Sequence, residues 1–158
     1  MGSPFAFPSR GRSKACFAAF GQPLISNVSR QEPSAVNRYD PEHAPDPAEW
    51  LALDEQVRIQ LAEEHHRVAR IKLPNLKAHA VFHAIVENQL AENLEPVVRA
   101  MARLTAEGLR RHEALHAIAS VLAEHMHDLF NAKADANNSQ AIYNAAVERL
   151  TARGWRGG

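Results

Sequence analysis

From Asp46 onward apolar residues recur every three or four positions, the spacing of amphipathic helices. Asp46 can cap a helix with Pro47 at its first position, and Trp50, Leu53, Val57, Leu61 and Val68 follow in phase, predicting a first helix over about residues 46 to 69. Pro74 interrupts the pattern, and Asn75 can cap a second helix reaching about Asn93. A third starts near Pro96 and ends or bends at Gly108. A fourth covers about residues 109 to 131, and after the turn-rich "NAKADANNSQ" a weaker fifth runs from Ser139 to near Gly154. No stretch alternates with period two long enough for a strand. The pattern predicts an all-α fold, a single bundle of four or five helices over about residues 46 to 153.

Residues 1 to 45 show neither period and are rich in Pro, Ser, Gly and Arg, which predicts a disordered N-terminal tail. Its first thirty positions hold Arg10, Arg12, Lys14 and Arg30 without an acidic residue, a composition that also suits a targeting segment. The 158 residues leave room for one domain, and 18 basic against 18 acidic residues give no net charge to recruit nucleic acid. No apolar run spans a bilayer, and the lone Cys16 fits a reducing compartment. These features predict a cytoplasmic protein that binds neither nucleic acid nor membrane; a homo-oligomer is compatible with them.

The distinctive chemistry lies in nine histidines, eight of them between residues 65 and 127. At about 100° per residue, His79 and His83 fall inside the apolar stripe formed by Phe82, Val86 and Leu90 on the second helix, and Glu87 extends their row. On the fourth helix His112 and His116 border the stripe of Leu115, Ile118, Leu122, Met126 and Leu129. Two pairs of i, i+4 imidazoles facing a small core need several polar partners in one place. One metal ion supplies them at once, and zinc, iron, manganese or nickel suits such ligands.

Three other arrangements compete with a four-histidine centre. "HEALH" has the spacing of a zinc-dependent hydrolase, with His112 and His116 as ligands and Glu113 as base, but Glu113 points away from the seam. Two Glu-x-x-His motifs, Glu63 with His66 and Glu113 with His116, match a di-iron bundle, yet a helix phased on Trp50 turns Glu63 and His66 outward. The same phasing puts Glu64 and His65 beside the core. Without a metal, the histidines would be core polar contacts of a helical interaction module.

"HAVFHAIVENQ" and "HEALHAIASVLAE" resemble the paired signatures of an uncharacterised bacterial family, domain of unknown function 1841, through His79, His83 and Gln89, and through His112, His116, Leu122 and Glu124. The resemblance spans roughly residues 45 to 131 and departs from the family at Asn88 and Leu115, where the family pattern is acidic. It implies no activity and favours the four histidines over a glutamate-based motif. The expectation is a small helical protein binding a transition metal through His79, His83, His112 and His116, with Glu64, His65, Glu87 and Glu124 as supporting groups or extra ligands and no catalytic residue.

Overall fold

The computed structural model describes residues 38–131 and 136–157. Among them are seven α-helices and no strand: α1 (Pro47–Ala52), α2 (Glu55–Val68), α3 (Leu76–Ala91), α4 (Glu95–Ala106), α5 (Arg111–Phe130), α6 (Ser139–Arg149) and α7 (Ala152–Gly157), with a 3-10 turn at Ala136–Asn138. The fold is an all-α helical bundle, as the periodicity predicts. Residues 1–37 of the expected tail lie outside the described residues.

The helix starts follow local chemistry. Asp46 accepts the Glu49 amide at 2.9 Å with Pro47 in the first turn, and Asn75 accepts the Ala78 amide at 3.0 Å. Gly108 follows α4 with φ +92°, a conformation costly for a side chain.

Two predicted helices are each divided. The first breaks at Leu53 and Asp54, both extended, because Asp54 accepts the Gln56 amide at 2.9 Å and starts α2 afresh. That break resets the helical phase. Val57 and Val68, expected in the core, are exposed, whereas Ile59, Ala62 and His66 are buried. The fifth ends at Leu150 rather than near Gly154, which lies inside α7. The Arg103 guanidinium donates to the carbonyls of Val147 and Leu150 at 3.0–3.2 Å, satisfying the open end of α6, and Glu107 accepts the Ala152 amide at 2.6 Å.

Helix α3 packs against α1, α2, α4 and α5 and serves two apolar clusters. Ala80 and Ala84 join Tyr39, Trp50, Ile59 and Ala62 in one. Val86, with Phe82 and Leu90 beside it, joins Leu104, Leu115, Ile118, Tyr143 and Val147 in the other. Between these two faces of α3 runs the row His79, His83, Glu87. Tyr39 is 2% exposed and Pro41 is also fully buried, so the packed body begins ahead of the boundary expected at residue 46. The hydroxyl end of Tyr39 reaches α3, which anchors this leading segment to the helix carrying the histidines.

Candidate metal centre

Three helices bring six histidines into one seam: His65 and His66 from α2, His79 and His83 from α3, His112 and His116 from α5. One nitrogen from each of His66, His79, His83 and His116 lies within 4.8 Å of the other three. His66 and His83 are buried, at 0% and 1% exposure, while His79 and His116 are half-buried. The Nε2 atoms pair at 3.1 Å between His79 and His66 and at 2.9 Å between His116 and His83. Two ligands of a tetrahedral ion bonded at 2.0–2.1 Å stand roughly 3.3 Å apart, so small ring movements separate these contacts from ligation.

Two rings have their orientation fixed from outside the seam. The His66 Nδ1 lies 2.7 Å from the Ala62 carbonyl, which can only accept, so this nitrogen carries the proton and Nε2 presents its lone pair inward. Tyr39 donates to Glu87 Oε1 at 2.8 Å, leaving its oxygen to accept from His83 Nδ1 at 3.1 Å and again turning a bare Nε2 inward. Glu87, 1% exposed, receives both terminal nitrogens of Arg111 at 2.7 and 2.8 Å, and Arg111 also donates to the Pro41 carbonyl. The sequence row His79, His83, Glu87 is therefore chemically divided. Its carboxylate is committed to an ion pair and supports His83 through Tyr39.

His112 belongs to the same cluster of rings. Its centroid is 4.3 Å from that of His116, 5.2 Å from His83 and 5.5 Å from His66, and its buried Nε2 has no hydrogen-bond partner among the described residues. His65 sits at the rim, its ring 5.2 Å from His66 and 5.9 Å from His112. Glu64 is exposed and pairs with Arg67, and Glu124 is exposed on α5, so neither carboxylate joins the cluster.

The outward placement expected for His66 is overturned. Its physical cause is the break before α2: an angle extrapolated from Trp50 loses meaning across two extended residues. The Asp54-Glu55 pair, a capping residue followed by an acidic first turn, is the sequence signal that marks a new helix start there. Tyr39 gave no periodic signal because it precedes the helices. Two arginines contribute from outside any apolar stripe: Arg103 caps α6 and Arg111 neutralises Glu87. Glu113 accepts the Arg110 amide at 2.8 Å in the partly exposed first turn of α5, a capping role rather than that of a base in the seam.

Burial in the seam disfavours protonation. It draws His79, His112 and His116 down to about 4, with neighbouring imidazoles adding to the effect, and it lowers His83 further and His66 to a lesser degree. Burial thus favours the neutral form of these five rings, the state in which imidazole ligates metals. The side chains of His79, His83 and His116 also line a cleft of about 270 Å³ whose other walls are Phe82, Ala119, Ser120, Ala123 and Trp155. No described helix is long and apolar enough to cross a membrane. No family model, curated protein or solved structure matches the chain.

Proposed function

We propose that this is a transition-metal-binding protein in which His66, His79, His83 and His116 hold one ion, with His112 as the adjoining imidazole that can enter the set. The observation that carries this reading is the convergence of four ligand nitrogens within 4.8 Å from three different helices. Two supporting features bear on orientation: the Ala62 carbonyl and the Tyr39–Glu87 link direct the lone pairs of His66 and His83 inward. Ligands held by such outer hydrogen bonds are positioned before the ion arrives. An all-nitrogen set suits zinc, iron, nickel or copper, whereas manganese prefers oxygen donors. Kinship with domain of unknown function 1841 would instead assign His79, His83, His112 and His116 on α3 and α5, and adds no reaction.

A second reading rests on the same distances. With His66 and His83 protonated at Nδ1, His79 and His116 can each donate from Nε2, and four imidazoles then satisfy one another without an ion. This is the metal-free helical interaction module. It leaves His112 Nε2 without a partner, which a metal set that His112 enters would satisfy.

Metal analysis of untagged protein tests the choice. The expected result is about one equivalent of transition metal per chain, lost in a His83→Ala, His116→Ala double variant that keeps its helical circular dichroism. Wild-type protein that stays metal-free after incubation with zinc, nickel, copper and iron(II), while fully helical, would refute the reading.

A further inference from the structure

The charge balance around the four histidines specifies what the loaded centre would lack. Imidazole ligands are neutral, so a divalent ion among them keeps its full charge. The carboxylate nearest in the network, Glu87, already faces the Arg111 guanidinium and the Tyr39 hydroxyl. Glu64 is exposed and paired with Arg67, and Glu113 caps α5. A charge held in a partly buried seam without a counter-charge is costly, and an anion bound directly to the ion removes that cost.

The structure also offers a place for such an anion. His79, His83 and His116 form one wall of the 270 Å³ cleft, so a ligand seated there beside the ion must be small. The remaining walls carry no formal charge: Phe82, Ala119, Ala123 and Trp155 are apolar, and the Ser120 hydroxyl is engaged with the Ala117 carbonyl at 2.8 Å. The recognised molecule thus needs an anionic head for the ion and a short apolar body for the walls.

We propose that the metal-loaded centre binds a small monocarboxylate with an aliphatic tail, its carboxylate on the ion and its tail against Phe82 and Trp155. This assignment rests on the metal reading and extends it to a ligand class. Binding here requires no covalent step: with four histidines on the ion, the carboxylate would add as a fifth ligand and be released unchanged.

Cobalt(II) supplies a visible signal that separates the two questions. Uptake is measured first, by the appearance of cobalt absorption and by metal analysis; failure to take up cobalt overturns the metal reading and this inference together. The loaded protein is then titrated with acetate, propionate and butyrate, with butylammonium and butanol as controls. The expected result is a change in the cobalt bands with carboxylates alone, and an affinity rising roughly fourfold per added methylene as the tail is buried. Ala123→Phe should fill the cleft, retain cobalt and weaken butyrate at least tenfold. A cobalt-loaded wild type whose spectrum ignores all three acids, or responds to them equally, overturns the inference while leaving the metal reading in place.

Discussion

Acid should unfold the metal-free protein well above the range where carboxylates titrate. His79, His112 and His116 fold with values of about 4 because burial penalises the imidazolium, against an ordinary 6.5 in the unfolded chain. Below about pH 6.5 the unfolded chain therefore binds protons that the folded chain refuses, and stability falls as pH drops toward 4. A gap of about 2.5 pH units at about 1.4 kcal/mol each gives about 3.5 kcal/mol per ring as an upper bound. The rings are half-buried, so screening reduces this, and half the bound for three rings gives about 5 kcal/mol. That rivals the whole stability of a small domain. Asp40 and Glu113, whose values lie below the ordinary carboxylate range through hydrogen bonds to backbone amides, lose their contributions only at lower pH. The window from about pH 6.5 to 5 thus isolates the histidines. Urea unfolding of chelator-treated protein, followed by circular dichroism at half-unit steps, should show stability declining with a slope of two or more protons bound on unfolding. Unchanged stability between about pH 7 and 5 would refute the account of a buried neutral cluster. Saturating zinc should oppose the decline by mass action, by about 2.7 kcal/mol at a free concentration one hundred times the Kd.

Two substitutions examine the surroundings of the site. Glu87→Gln leaves Arg111 beside a neutral amide in a buried position and should cost about 3 kcal/mol in urea unfolding, with a matching fall in zinc affinity as His83 loses its fixed partner. Glu113→Gln should leave metal content and helix content nearly unchanged, because Glu113 serves the partly exposed start of α5; loss of a hydrolytic activity in that variant would restore the His-Glu-x-x-His reading.

Periodicity sufficed for the helices that carry His79, His83, His112 and His116, because their apolar stripes are long and their ends are marked by Asn75, Gly108 and the turn-rich sequence after Phe130. It failed for His66. A phase is a property of one continuous helix, and two extended residues at Leu53 and Asp54 erase it while leaving the apolar spacing superficially intact. Tyr39 and Arg111 were illegible for a different reason. Their importance comes from hydrogen bonds to Glu87 across separations of 48 and 24 residues, and no local pattern reports a partner that distant. The pairing of Arg103 with the end of α6 is equally non-local.

The row of imidazoles on α3 has a mechanical consequence. Leucines in those positions would join the two apolar clusters into one continuous core whose cohesion no solute could adjust. Histidines make that junction adjustable, since protons push the rings apart and a bound ion would draw them together. The rigidity of the whole bundle thereby becomes a function of what the surrounding solution places along a single line of side chains.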